Sequence, residues 1–446
     1  MMGIPRSRFA SVLPMLALWV VCAALLHCVQ IQDPEEGVKR WGEAVQIDED
    51  GTAPEIAIDP AGKAVVVWTR PDGFWSRRWV PGSSWLAAER IPSASDTLPT
   101  AAVGIDASGN AVAVWSQFLV GEINVFSNRC APGLGWGDSE RIDDDVGEAL
   151  PPQVSVNADG SAVAVWAQFD GTRDGVWSAR YTVDSGWDDP QRIESNTAIE
   201  ASGPQIAVDP SGNAVAVWAH RDGLYDIWSN LSTPTGVWRT NARVVETADE
   251  GNASGPSIGM DDQGNAIAVW HQSDRGQETI WSARYTPPVW GIAERIDKNK
   301  EGDASDPHVA VAQDGSALAV WVQFDGAKQQ VWSARYTPAS DWGIPERIEV
   351  NDGGGSSLEP RVAVALDGTA VAVWQQLAGS ASDIWSARYT PSGGWGRSRR
   401  IDTDDGGVGR EARVATDPAG NALAVWAVFG GSSPGVWSNR LASSSE

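Results

Sequence analysis

An all-β fold made of repeated small sheets is predicted by three observations in this 446-residue chain. The first is a ten-residue unit, DPSGNAVAVW from Asp209, with near-copies from Asp59, Asp106, Asn157, Asp261, Ala312, Ala365 and Asp417. Its spacing of about 51 residues is the period of a blade-like or solenoid unit, not of a coiled coil. The second is that each repeat divides into four short β-branched or aromatic segments, each bounded by Gly, Pro, Asp or Asn, which is the pattern of short antiparallel strands. The third is tryptophan, which recurs at the end of the second segment, in the third and at the start of the fourth. Only Phe126 interrupts this pattern, and only Trp19 and Trp79 stand outside it.

The elements follow in chain order. Residues 1–28 read as an export signal: Arg6 and Arg8 without an acid, then the apolar stretch FASVLPMLALWVVCAALLHC. The ending Leu25-Leu26-His27-Cys28 resembles a lipoprotein signal, in which Cys28 would be acylated. Ordinary cleavage, or retention as a membrane anchor, are the alternatives, since about twenty apolar residues can span a bilayer. The chain is therefore expected outside the cytoplasm, at the outer membrane or in the periplasm if lipidated, and periplasmic or secreted if not. Residues 29–40 read as a short linker, and residues 41–446 as one domain of eight repeats, because no linker separates the copies.

Within the repeat starting at Pro204, strand a is PQIAVD, strand b AVAVWAH, strand c DIWSNLS and strand d WRTNARVVE. Between a and b, Asp209 can bond its own backbone, Pro210 presets the first turn residue and Gly212 supplies a left-handed conformation, which makes a hairpin. Strand b is apolar on both faces, with Ala214, Ala216 and Trp218 on one and Val215 and Val217 on the other, so both faces must be covered. Sheets stacked face to face in a β-propeller meet that demand. A linear solenoid is the runner-up and would want polar caps. The ends choose the propeller: WGEAVQID, from Trp41, is a strand d with no strand a before it, and the last repeat stops without a strand d. An eight-bladed β-propeller of four-stranded antiparallel blades is therefore expected, with residues 41–48 completing the blade that begins near Ala412. It is expected to be a monomeric ring.

The unit P-x-I-A-V-D-x-x-G-N-A-V-A-V-W resembles the exported bacterial β-propeller repeats of the broad TolB and NHL kind and covers nearly all of residues 41–440. The resemblance implies a fold and not a function, since one fold hosts many activities. A sialidase Asp box is not matched, because Trp218 lies nine residues after Asp209 and not five.

A net charge of −25 repels phosphate backbones and anionic lipid heads, so neither nucleic acid nor polybasic-style membrane docking is expected. Any membrane association would run through the N-terminal signal or a lipid anchor. Of Cys22, Cys28 and Cys130, only Cys130 lies in the repeats, so no disulfide forms within them. Arginines recur in strand c (Arg180, Arg284, Arg335, Arg388) and in strand d (Arg141, Arg295, Arg347), and are expected to pair with carboxylates of the next blade. The alternative is a multivalent receptor with one weak pocket per blade.

Candidate ligand-binding residues open the b-to-c loops: Gln117, Phe118, Gln168, Phe169, Asp170, His220, Arg221, Asp222, His271, Gln272, Gln323, Phe324, Asp325 and Gln375. Amide, carboxylate and aromatic groups side by side suit a sugar or peptide edge. The same glutamines, standing so close to the strand-b Trp, could instead bond within the blade. The acidic d-to-a loops, with Asp143, Asp145, Asp297, Asp303, Asp402 and Asp404, offer oxygen ligands for Ca²⁺, against the simpler reading of solvated loops. Catalytic signals are sparse: His220 and His271 point to opposite faces of their strands, His308 begins another strand, and no nucleophile elbow or phosphate loop is present. The expected function is noncatalytic binding of an envelope or extracellular protein. A glycan-binding lectin, calcium-assisted or not, is the alternative, and a carbohydrate-active enzyme is a distant third.

Overall fold

In a computed structural model, the structure describes residues 39–93, 101–119, 121–143, 147–194, 200–239, 243–245, 251–298, 302–349, 354–403 and 406–443. The described residues are strands, turns and coil, with no helix among them. Cys28 and the rest of residues 1–38 lie outside that set, as do Asp145, Asp404 and the side chain of Asp222.

Every repeat forms an antiparallel sheet in the order a, b, c, d. The first runs Thr52–Ile58, Ala64–Arg70, Gly73–Trp79 and Glu89–Ile91. The fourth runs Glu200–Val208, Ala214–Asp222, Leu224–Ser232 and Arg243–Val244. In several repeats strand d is two short pieces against strand c, as in Val289–Trp290 and Glu294–Arg295, where the sequence suggests one continuous strand. A single parallel pairing, Ser382 with Val408, joins the seventh and eighth sheets.

The a–b hairpin has the expected chemistry. Asp209 Oδ1 accepts from Asn213 N at 2.8 Å, Oδ2 accepts from the Asn213 amide at 2.7 Å, and Gly212 has φ of +88°. Strand b is the core. The tryptophan within it, expected at its end, is 0% exposed in all eight repeats, from Trp68 to Trp426, and the strand runs on for two to four residues beyond. The two apolar faces are covered as expected: Val215 and Val217 of the fourth sheet pack on Ala266, Ala268 and Trp270 of the fifth, and Ile267 and Val269 of the fifth pack on Ala317, Ala319 and Trp321 of the sixth. Valine on one sheet thus meets small alanines and a deep indole on the next, which allows close approach without a void.

The chain's two ends meet in the same way. Arg40–Trp41 and Val45–Asp48 both pair with Gly435–Ala442, with Trp41 opposite Leu441 and Val45 opposite Ser438. Val66 and Trp68 of the first sheet share a core with Val425 and Val436 of the eighth. The Trp85 indole donates to Ser438 Oγ at 2.9 Å, just as Trp290 of the fifth sheet donates to Ser229 Oγ of the fourth at 2.7 Å.

Candidate binding site

The b-to-c residues divide by strand geometry. Residues two apart on a strand share a face. Where a glutamine stands two places after the core tryptophan, as in five of the eight repeats, it points inward with it. Gln117, Gln168, Gln272 and Gln323 are buried and accept the indole N–H of Trp115, Trp166, Trp270 and Trp321 at 2.9, 2.7, 3.0 and 3.2 Å. They serve an interior indole that needs a partner and are not presented to a ligand. Gln375 is also buried, donating to Ser382 Oγ at 3.0 Å, and His220 stacks on Trp228 inside the sheet at 4.4 Å.

The remaining residues of that row do reach solvent. Phe118, Phe169 and Phe324 are exposed. Arg221 pairs with Glu200 at 3.4 Å. Asp170 and Asp325 cap their own turns: the Thr172 hydroxyl holds the Asp170 carboxyl down to about 2, and the Lys328 and Ala327 amides do the same for Asp325.

The acidic loops are not assembled as a calcium site among the described residues. Asp143, Asp297 and Asp402 each accept from the arginine two residues earlier, Arg141, Arg295 and Arg400, at 2.6 Å in every case. Burial pushes all three carboxyls up against that pairing, Asp402 to about 6. Asp303 is exposed and accepts from Glu278 N at 3.1 Å. The described residues contain no group of three or more His, Cys, Asp or Glu that could hold a metal ion.

The recurring arginines find partners other than the next sheet's carboxylates that were expected for them. The strand-d residues Arg141 and Arg295 pair within their own strand, because i and i+2 lie side by side there. Strand-c arginines do reach the next sheet, but toward carbonyls and rings. Arg180 donates to Gly212 O and Thr233 O, while Arg284 and Arg335 lie over Tyr336 and Tyr389. Trp79 takes the place of those tyrosines: it stands opposite Ala64 as Tyr336 stands opposite Ala317, and it receives Arg440 of the last repeat.

The convergent polar site lies elsewhere. The a strands frame a cavity of 350 Å³ lined by Glu55, Gln153, Gln205, Ser257, His308, Arg361 and Arg413, one residue from each of seven repeats. All seven occupy one column of the repeat, and Ala102 fills it in the second. A β-bulge aims them. The pairing register shifts between Thr52 and Glu55, Ser305 and His308, Leu358 and Arg361, and Arg410 and Arg413. Inside the bulge Asp306, Glu359 and Glu411 adopt φ of 52°, 51° and 58°, a left-handed conformation costly for these residues. Gly203 and Gly255 fill that position in the fourth and fifth repeats. Asp306 and Glu359 are exposed.

The two arginines differ in their partners. Arg413 Nε donates to Glu55 Oε1 at 2.7 Å, and Glu55 raises its pKa. Arg361 donates Nη1 to its neighbouring carbonyl Pro360 O at 2.9 Å and has no carboxylate within ion-pair distance among the described residues; burial pushes its pKa down. Burial, with both arginines, pushes His308 down to about 3, so the ring is neutral. Its Nδ1 accepts from Val362 N at 3.4 Å, which leaves the ring proton on Nε2. His271 also lines the cavity and shares a hydrogen bond with Ser254 Oγ at 2.7 Å, so of the residues singled out in the b-to-c row it alone reaches this site. The sequence signal for the rest was a strand-a position at which seven repeats carry polar residues of several kinds.

No family model matches the chain, and no curated protein matches it, so the likeness to TolB and NHL repeats rests on the repeat unit itself. Solved structures do match. A lectin from Burkholderia pseudomallei aligns with a TM-score of 0.57 at 11% identity, over 79% of this chain and 99% of the lectin. A polysaccharide lyase of the ulvan lyase kind aligns with a TM-score of 0.51 at 10% identity, over 81% of this chain and 96% of the lyase. The polysaccharide lyase Uly1 aligns with a TM-score of 0.50 at 8% identity, over 91% of this chain and 99% of its own. The fold is that of a β-propeller. Likeness at such identities carries the fold alone.

Proposed function

We propose that the chain is an exported, eight-bladed β-propeller, closed by residues 41–48, that binds one polar ligand at the axial cavity without turning it over. The observation that carries this reading is the column of Glu55, Gln153, Gln205, Ser257, His308, Arg361 and Arg413 around one cavity, on strands whose next position is Ile or Val in every repeat. A feature present in every blade offers eight equal sites; a feature built from seven residues of five kinds offers one. Shared cores and hydrogen bonds between the first and last sheets support closure.

Binding is favoured over catalysis by the proton on His308 Nε2, which makes the ring a donor toward a ligand rather than a base. A glycan end is favoured over a protein partner by size. The cavity of 350 Å³ lies in the range of small-molecule sites, whereas a stable protein interface needs about 800 Å² from each side. The lectin and lyases that share the fold are carbohydrate proteins by name, which agrees with this choice. The N-terminal signal is the basis for placing the protein outside the cytoplasm, with Cys28 as the acylated residue if the lipoprotein reading holds.

The test is a glycan array probed with the full chain, in calcium and in EDTA, beside Ser257→Trp, which fills the cavity, and Phe118→Ser on the outer face. Binding that survives EDTA, persists in Phe118→Ser and is lost in Ser257→Trp is the expected result. Loss in Phe118→Ser alone would move the site to the b-to-c face. New reducing or unsaturated ends in a bound polysaccharide would overturn the noncatalytic reading.

A further inference from the structure

Resting on the axial cavity as the binding site, we infer that the group anchored there is a carboxylate carried on a polyhydroxylated ring, with Arg361 as its principal partner. A guanidinium has five N–H donors in a planar fork. Arg361 spends one, Nη1, on Pro360 O. Arg413 is held by Glu55, so the two neighbours have different tasks: one is fixed within the wall, the other faces the cavity with donors to offer.

Arg361 is half-buried, and Glu55, Glu359 and Asp306 act on it only from beyond ion-pair distance, so its charge is incompletely balanced within the wall. The chain has 58 acids against 33 bases and places none of the described ones within ion-pair distance of this arginine. The group that matches its remaining donors is a carboxylate, since a planar fork meets two coplanar oxygens with paired hydrogen bonds.

The other lining groups fit the remainder of such a ligand. His308 offers Nε2–H, while Gln153, Gln205 and Ser257 bring amide and hydroxyl groups that both donate and accept, as ring hydroxyls require. The exposed Asp306 and Glu359 stand in the bulges just before His308 and Arg361. Their charge disfavours densely anionic polymers and admits a ring bearing one acid among hydroxyls. The chemistry described is that of a uronate-type sugar end.

The experiment is isothermal calorimetry of the full chain against glucuronate- and galacturonate-terminated oligosaccharides and their neutral glucose and galactose counterparts, at low salt. The acidic ligands are expected to bind at least about tenfold more tightly than the neutral ones. Arg361→Gln should remove about tenfold to a hundredfold of that affinity, as loss of a hydrogen bond to a charged group does, and Arg361→Lys should restore part of it. The melting temperature of each variant shows whether it is folded. Equal affinity for acidic and neutral sugars, blocked by Ser257→Trp, would overturn the carboxylate inference while leaving the site. Binding untouched by Ser257→Trp would overturn the site itself. Failure of every uronate to bind, in a folded protein, would overturn the inference as well.

Discussion

Strand b and strand a of the same repeat are neighbours that have been shaped by different demands. Along strand b, eight repeats carry the same residue at one inner position, and all eight indoles are wholly buried between sheets. Along strand a, the column that lines the cavity in seven repeats holds Glu, Ala, Gln, Gln, Ser, His, Arg and Arg. A position that touches only adjacent sheets meets the same surroundings in every repeat and settles on one solution. The strand-a column instead lines one cavity with residues of seven repeats, where eight identical residues would crowd like groups together. Uniformity therefore marks what holds the sheets together, and variety marks what the assembled molecule presents.

The largest effect that can break this comparison is in strand b. Trp218→Ala is expected to cost about 3–5 kcal/mol in denaturant unfolding, the range for large aromatic truncations in a packed core. His308→Ala, by contrast, should cost only about 1 kcal/mol, since it removes a partly buried ring at the cavity wall and the acceptor of the Val362 amide. Equal losses from the two would remove the distinction.

A second test uses pH. Asp402 has its carboxyl raised to about 6 by burial, despite Arg400. An unfolded Asp releases its proton near 3.9, so between about pH 4 and 6 only the folded state holds it, and stability falls as pH rises through that window. The full contribution is up to about 3 kcal/mol, at about 1.4 kcal/mol per pH unit. Asp402→Asn should flatten the fall in melting temperature across the same window, and an unchanged slope would assign the proton elsewhere.

The smallest effect concerns the buried amides. Gln272→Leu leaves the Trp270 N–H without its acceptor and should cost about 1–3 kcal/mol. A change to leucine that costs nothing in unfolding, or one that abolishes glycan binding without lowering stability, would return this row to the functional surface.

Much of the architecture was legible because it is written eight times. The Asp-x-x-Gly-Asn hairpin, the two apolar faces of strand b and the outlying strand at Trp41 each state a geometric demand that one sheet order satisfies. The site was harder to read for the opposite reason. His308 and Arg361 are single occurrences whose direction depends on a bulge, and a bulge has no local signature when Asp306 and Glu359 adopt the left-handed conformation usually left to glycine. Conversely, Gln117 and Gln323 looked like ligand groups because they are polar at a loop. Their depth follows from sharing a face with the tryptophan two places before, which is visible in the sequence once strand geometry is applied.

The pairing of Arg40–Trp41 and Val45–Asp48 with Gly435–Ala442 also sets a timetable. The first strands of the repeat array to emerge during synthesis pair with the last, across roughly 400 residues of intervening chain, so the seam cannot form until nearly the whole array has been made. Seven sheets can assemble in order as they appear, each against its predecessor, while the opening strand waits with an open hydrogen-bonding edge. For a nascent chain this makes the final strand a checkpoint: a product shortened by a few dozen residues would carry intact sheets and an unsatisfied edge, a species marked for self-association or proteolysis rather than use.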